Sequence, residues 1–112
     1  MKVLIIDGQG GGLGRQLVAA VKEYDRSIEV LAVGTNSAAT NAMLKAGADQ
    51  AATGENSVAV ASKKADVIMG PVGIVIADSM LGEITPRMAV AVGQSSAKRI
   101  LIPVNLCDNI VV

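Results

Sequence analysis

The sequence predicts an α/β protein in which a mostly parallel sheet of about five strands lies between two layers of helices. Short apolar runs alternate along the chain with segments of helical periodicity, the order typical of this class. The apolar runs are continuous rather than alternating, as expected of strands that are covered on both faces. Phe and Trp are absent, so a core of Val, Ile, Leu, Ala and Met is expected. At 112 residues, the chain is expected to form one domain over residues 1–112.

The strands are expected where the apolar runs occur. The predicted strands are residues 3–6, 30–33, 50–53, 67–69 and 100–102. Strand–helix–strand connections favour right-handed crossovers. By analogy with the nucleotide-binding halves of doubly wound folds, we expect the strand order 3-2-1-4-5. The tail, residues 109–112, is a candidate for an additional edge strand.

Apolar residues at helical spacing predict the helices between the strands. For the first three helices these residues are Leu13, Leu17, Val21 and Tyr24; Ala39, Ala42, Met43 and Ala46; and Val58, Ala61 and Ala65. Gly47 is expected at the C-cap of the second helix. Met80, Leu81, Ile84, Met88 and Ala91 keep the same period, interrupted by Gly82 and Pro86. Thr85 is therefore expected to N-cap a separate helix with Pro86 in its first position, while residues 74–77 fit a strand or a helix.

The composition excludes some classes of partner. Ten Lys and Arg residues cancel ten Asp and Glu residues, so the chain has no general attraction to nucleic acid or to an anionic membrane. Tyr24 is the only aromatic residue, which removes the stacking platforms that single-stranded nucleic acid uses. We therefore expect neither nucleic-acid nor membrane binding.

The cysteine and histidine content bears on location and metal binding. Cys107 is the only cysteine and cannot form an internal disulfide, which favours a reducing compartment. The N-terminus lacks the features of a signal peptide, and the longest apolar run, near residues 73–77, is too short to span a bilayer. A cytoplasmic location is predicted. Without histidine, no metal site is predicted, and Cys107 is expected to be a packed thiol.

A glycine-rich segment, DGQGGGLGRQL at residues 7–17, follows the first strand. A strand, a glycine-rich turn and a helix place several free backbone N–H groups at the positive end of a helix dipole, where phosphate binds well. Asp7 would repel a phosphate unless it bonds a hydroxyl, a metal or an amide. A structural hydrogen bond is favoured over a phosphoaspartyl nucleophile, because Gln9 stands where haloacid-dehalogenase-type phosphatases carry a second Asp.

The segment fits the pattern G-x-x-x-G-x-G through Gly8, Gly12 and Gly14, which resembles the first βα turn of short-chain dehydrogenases. The resemblance covers about the first thirty residues and implies a nucleotide such as NAD(P). The dehydrogenase pattern is absent further on: residues 34–37 hold neither an acid nor an arginine, and no Tyr-x-x-x-Lys pair occurs. As a whole, the chain resembles a small uncharacterised bacterial family of Rossmann-like proteins.

Small polar clusters follow the predicted strands at the sheet edge where ligands of parallel sheets bind. The predicted ligand-binding residues are Asp7, Gly8, Gln9, Gly10, Gly11, Gly12, Leu13, Gly14, Gly34, Thr35, Asn36, Gly70, Pro71 and Gly73. Asn36 and Thr53 are also good N-cap residues. Arg15 and Arg87 lie in the first turns of predicted helices, where a bound anion would favour their charges.

The leading hypothesis is a binding domain for a nucleotide or another phosphorylated metabolite, with Glu55, Asn56 and Asn105 orienting the ligand. The apolar surplus of this small chain predicts a homodimer or a higher homo-oligomer, assembled through residues 74–88. One alternative is a small lyase, isomerase or transferase with carboxylate acid–base residues at a dimer interface. Its candidate acid–base residues are Asp7, Glu55, Asp78 and Glu83. The other alternative is a structural or partner-binding subunit. Under none of these hypotheses does the sequence assign a catalytic residue.

Overall fold

Five strands form one parallel sheet in the predicted order 3-2-1-4-5, counted along the chain. The computed structural model describes residues 1–105 and 109–112. In chain order the elements are β1 (Lys2–Asp7), α1 (Gly12–Tyr24), β2 (Glu29–Gly34), α2 (Ser37–Lys45), β3 (Gln50–Thr53), α3 (Glu55–Ser62), β4 (Val67–Pro71), a short 3-10 helix (Val72–Val75), α4 (Pro86–Gln94) and β5 (Lys98–Ile102). This architecture is Rossmann-like.

Two hydrophobic cores lie on opposite faces of the sheet. In β1, Leu4 and Ile6 belong to the core beneath α3 and α4, and Val3 and Ile5 to the core beneath α1 and α2. Successive side chains of a strand point to opposite faces, so a strand that is covered twice must be apolar at every position. The continuous apolar runs of the sequence follow from this arrangement.

The N-caps of α2 and α4 are confirmed. The Asn36 side chain accepts a hydrogen bond from the backbone N–H of Ala39 at 2.9 Å. The Thr85 hydroxyl accepts one from the backbone N–H of Met88 at 3.1 Å, and Pro86 is the first residue of α4. Both caps bond a backbone N–H three residues ahead, so short stretches of sequence are enough to predict them.

Two other cap assignments need correction. Thr53 ends β3, and its hydroxyl lies 2.7 Å from the hydroxyl of Thr40 in α2. Gly54, with φ 104°, is the N-cap of α3 instead. At the end of α2, Ala46 is the C-cap, and Gly47 follows it with φ 117°. The positive φ explains the glycine at this position, one residue later than predicted.

The buried face of α1 differs from the predicted stripe. Gly14 and Val18 are its buried residues, Leu17 and Val21 are partly buried, and Tyr24 is 86% exposed. At Gly14 the helix lies so close to β1 that an added Cβ atom would lie 2.7 Å from Asp7 Cβ. Counting apolar side chains cannot identify such a position, because glycine has none. Sequence periodicity therefore places the helix face slightly wrongly.

The segment between β4 and α4 begins with the 3-10 helix, which includes residues 74 and 75 of the stretch predicted as strand or helix. Residues 76–85 form neither a helix nor a strand, and we name residues 78–85 the strap. Its backbone is left-handed at Asp78 (φ 66°), Met80 (φ 56°), Leu81 (φ 56°) and Gly82 (φ 87°). Three of these residues are not glycine, and that conformation is unfavourable for them. The strap therefore depends on the surrounding structure for its shape.

The predicted subunit surface at residues 74–88 turns much of its apolar surface inward, although Leu81 is 84% exposed. Ile74, Ile84 and Met88 are buried within the core of the chain itself. The apolar character of this stretch therefore reflects packing within one protomer, and it is not evidence for an interface. In the described part of the chain, no helix has the length and apolar character needed to cross a membrane.

The C-terminal part also departs from expectation. β5 pairs with β4 alone, so it is an edge strand, and Ile100 is 45% exposed rather than covered on both faces. Within the described residues, the tail adds no sixth strand: Asn109 forms a single bridge, and the backbone N–H of Val111 donates to the Asn105 side chain at 2.6 Å. Cys107, predicted to be a packed thiol, lies outside the described residues.

Candidate functional site

A cavity of about 250 Å³ opens at the carboxyl ends of β1 and β4. The glycine loop, residues 8–14, forms most of its wall, and the strap and the segment after β5 complete it. The lining residues are Asp7, Gly8, Gln9, Gly10, Gly11, Gly12, Leu13, Pro71, Met80 and Val104. Ligands of open parallel sheets bind at this edge, so the cavity is the candidate site.

Gly11 sets the path of the glycine loop. It has φ 73° and is the N-cap of α1, and its N–H donates to the Gly8 carbonyl at 2.9 Å. A Cβ atom at this position would lie 2.9 Å from the Cα of Ala39 in α2. Both the left-handed backbone and the contact with α2 require glycine here. The residue serves the structure of the loop, and its N–H is not free for a ligand.

Asp7 uses two further amides of the same loop. Its carboxylate accepts hydrogen bonds from the N–H of Gly8 at 2.8 Å and from the N–H of Gly14 at 2.6 Å, and the residue is only 6% exposed. Burial raises the pKa of Asp7 above its ordinary value, and the two hydrogen bonds offset only part of this rise. The negative charge of Glu83 raises the same pKa further. Asp7 thus serves as a buried hydrogen-bond acceptor for two amides of the loop.

Three amides of the glycine loop remain open. Within residues 1–105 and 109–112, the N–H groups of Gly10, Gly12 and Leu13 have no acceptor. A Cβ atom added at Gly10 or Gly12 would meet no described atom within 4 Å. All three residues line the cavity, and they lie at the N-terminal end of the 13-residue helix α1. The arrangement is suited to an anionic group, because the N–H groups and the helix dipole favour negative charge.

Glu83, in the strap, contacts the glycine loop at Gln9. Its Oε1 accepts hydrogen bonds from the N–H of Gln9 at 2.8 Å and from Asn36 Nδ2 at 2.9 Å, and it also accepts one from the Thr35 hydroxyl. Partial burial raises the pKa of Glu83, but these three hydrogen bonds outweigh the effect and hold the pKa below its ordinary value. The carboxylate is therefore ionised at neutral pH.

Gly34 and Gly70 are explained by packing. A Cβ atom at Gly34 would lie 2.5 Å from the backbone N of Thr40, and one at Gly70 would lie 2.5 Å from the carbonyl oxygen of Ile6. Gly73 is buried, and its carbonyl accepts a hydrogen bond from the Ser79 hydroxyl at 2.6 Å. Unlike Pro71, these three predicted site residues do not line the cavity. The sequence could not separate glycines needed for packing from glycines that face a ligand.

The other predicted polar residues are divided among separate contacts. Arg87 pairs with Glu55 at 3.3 Å and donates to the Asn56 side chain at 3.2 Å, joining α4 to α3. Its charge is therefore matched without a bound anion, and neither partner reaches the cavity. Arg15 is exposed in the first turn of α1. Asp78 is exposed and is not among the groups that bond Glu83.

Metal binding finds no support in the described residues, where no three His, Cys, Asp or Glu side chains come together as a metal site would require. Two parts of the cavity wall, Met80 and Val104, were not among the predicted ligand-binding residues, although the segment 103–105 was expected at this sheet edge. Sequence reasoning also named Glu83 only as a candidate acid–base residue, whereas the structure brings it to Gln9, 74 residues away. No local pattern indicates such a contact.

The fold and the cavity define a Rossmann-like α/β domain with open amides on its first βα loop. The chain belongs to the family of the domain of unknown function DUF3842, whose model matches residues 2–112. This agrees with the resemblance to an uncharacterised family. No curated protein and no solved structure matches the chain.

Proposed function

We propose that this protein is a small binding domain that holds a nucleotide or another phosphorylated metabolite on its glycine loop. The observation that carries the proposal is the set of three open amides, at Gly10, Gly12 and Leu13, on a cavity at the start of α1. Backbone N–H groups at a helix N-terminus are well suited to phosphate oxygens, since they provide several donors in a fixed geometry.

The charges near the loop are compatible with this ligand. The Asp7 carboxylate faces the N–H groups of Gly8 and Gly14, so its hydrogen bonds do not consume the three open amides. Arg15 lies in the first turn of α1, where the helix dipole disfavours a cation. A phosphate on the loop would turn this unfavourable placement into an attraction.

The size of the cavity also bears on the ligand. Sites that enclose a whole drug-sized ligand measure roughly 300–1,000 Å³. At about 250 Å³, this cavity suits a phosphate group and an attached sugar rather than an entire dinucleotide. A larger cofactor such as NAD(P) would extend beyond it along the sheet edge.

The proposal is tested by native mass spectrometry of the gently purified protein, followed by denaturation to release any bound compound. The purified protein is then titrated with ATP, GTP, NAD, NADP, coenzyme A and pyrophosphate. We expect a bound or added phosphorylated compound to shift the mass of the folded protein. If no compound co-purifies and none in the panel binds, the proposal is refuted.

A pair of glycine variants separates ligand binding from folding. Gly12→Ala adds a methyl group in open space on the cavity wall, and Gly93→Ala makes the same change on the exposed side of α4, where a Cβ would also meet nothing within 4 Å of the described chain. We expect at least about tenfold weaker binding in Gly12→Ala, or about 1.4 kcal/mol, with the melting temperature kept. Gly93→Ala should bind as the wild type does. Equal binding by both variants would contradict the assignment of the loop as the ligand site.

A further inference from the structure

An acidic side chain stands at the end of β2, although the sequence after β2 contains none. Residues 34–37 are Gly-Thr-Asn-Ser. Glu83 supplies the carboxylate from the strap: it accepts hydrogen bonds from the Thr35 hydroxyl and from Asn36 Nδ2, and these two residues directly follow β2. In doubly wound folds, an acid at the end of the second strand accepts hydrogen bonds from the ribose of a nucleotide whose phosphates lie on the glycine loop.

One oxygen of Glu83 is available to a ligand. All three hydrogen bonds from Gln9, Thr35 and Asn36 go to Oε1, and among the described residues Oε2 accepts none. A carboxylate oxygen accepts about two hydrogen bonds, so Oε2 has its full capacity left. Glu83 bonds the N–H of Gln9, and a Cβ atom added at Gly8 would lie 2.9 Å from both Glu83 Oε1 and Met80 Sδ. Gly8, Gln9 and Met80 line the cavity. The free oxygen therefore belongs to a group that stands directly beside the candidate phosphate site.

The strap holds Glu83 in a defined position. The N–H of Asp78 donates to the Ile84 carbonyl at 2.7 Å, and the N–H of Ile84 donates to the Ser79 carbonyl at 3.2 Å. Met80 and Ile84, on either side of Glu83 in the chain, are buried. These contacts enforce the left-handed backbone of the strap. A segment held in an unfavourable conformation by its surroundings is typical of ligand clamps, because it orients a side chain before the ligand arrives.

We infer that Glu83 Oε2 accepts a hydrogen bond from the 2′- or 3′-hydroxyl of a ribonucleoside phosphate whose phosphate lies on the open amides of the glycine loop. The inference rests on the proposed function, since the phosphate fixes where the sugar lies. An ionised Glu83 is a strong acceptor for a hydroxyl, and hydrogen bonds to charged groups contribute more than those between neutral groups. The ligand class is thereby narrowed from phosphorylated metabolites to ribonucleotides.

The test compares four ribonucleoside triphosphates with their 2′,3′-dideoxy forms by isothermal titration calorimetry, with pyrophosphate as a probe of the phosphate site alone. The variant Glu83→Gln keeps a carbonyl oxygen for the three donors and replaces the free oxygen by an NH₂ group, which cannot accept. The matched control is Glu23→Gln, which makes the same change on an exposed residue near the end of α1.

We expect wild-type protein to bind at least one ribonucleotide about tenfold or more tightly than its dideoxy form. This preference should persist in Glu23→Gln and disappear in Glu83→Gln, while pyrophosphate binds all three proteins equally. Pyrophosphate or nucleotide binding without a hydroxyl preference in the wild type would overturn the inference and leave the proposed function standing. A preference that persists in Glu83→Gln would likewise overturn it, and an absence of all binding would overturn both. Even where Glu83→Gln fails to fold, a wild-type ratio near one overturns the inference.

Discussion

Gly14 offers a quantitative test of the packing beneath the candidate site. A Cβ atom at this position would lie 2.6 Å from Met43 Sδ, 2.7 Å from Asp7 Cβ and 3.0 Å from Asp7 Oδ2. Met43 is fully buried and Asp7 Cβ is fixed by β1, so neither neighbour has free space to move into. Gly14→Ala therefore overfills the contact between α1 and the sheet.

The expected cost has three parts. Overpacking of a well-packed core costs about 1–3 kcal/mol. Displacing the N–H of Gly14 from the buried Asp7 carboxylate, 2.6 Å away, weakens a charge-assisted hydrogen bond that contributes about 1.5–3 kcal/mol. The higher helix propensity of Ala offsets about 1 kcal/mol. We expect Gly14→Ala to lower the free energy of unfolding by about 1.5–5 kcal/mol, and the melting temperature by about 6–20 °C for a chain of this size.

The assay is thermal and urea unfolding followed by far-ultraviolet circular dichroism, because Tyr24 is the only aromatic residue and is too exposed to report on the core. Gly12→Ala is the matched control: it lies two residues earlier at the start of the same helix, and its added methyl group meets nothing within 4 Å of the described chain. Its stability should stay within about 1 kcal/mol of the wild type. If Gly14→Ala unfolds within about 0.5 kcal/mol of Gly12→Ala, the packing argument is refuted.

Two further predictions concern the cap of α4 and the pH dependence of stability. Thr85→Ala should lower the free energy of unfolding in urea by about 1 kcal/mol, because the N–H of Met88 loses its acceptor. Thr85→Ser keeps the hydroxyl and should retain most of the wild-type stability. Equal losses in both variants would contradict a capping role. The pKa of Glu83 is lower in the folded protein than its ordinary value of 4.5, so the ionised side chain stabilises the fold at pH values above 4.5. This contribution is lost as the pH falls through the pKa of the folded state. Parallel urea titrations of the wild type and Glu83→Gln should therefore show a stability difference that shrinks as the medium becomes acidic, and a difference independent of pH would argue against an ionised Glu83.

Local features of the chain were predictable because their physical causes are local. The strands of the sheet are short apolar runs, and their burial on both faces makes the pattern visible in the sequence. The Asn36 and Thr85 caps each bond a residue three positions ahead. The glycine loop was recognisable because a strand, several glycines and a helix follow one another directly.

The sequence was less informative where the same residue type can serve either of two purposes. Glycines looked alike, yet Gly34 and Gly70 are required by atoms of other elements, whereas Gly10 and Gly12 face open space. The apolar residues of the strap suggested a subunit surface, yet Met80 and Ile84 belong to the core of the chain itself. In each case the deciding neighbour is distant in sequence.

The sequence by itself determined the fold class, the strand order expected by analogy and the location of the glycine loop, since these depend on the period and spacing of neighbouring residues. Only the tertiary structure decided which loop amides are left open, which amides donate to the Asp7 carboxylate and which acidic residue lies at the end of β2. The contacts of Glu83 with Thr35 and Gln9 span 48 and 74 residues. Such contacts arise from the crossing of loops at one edge of the folded sheet, and no pattern of neighbouring residues encodes them.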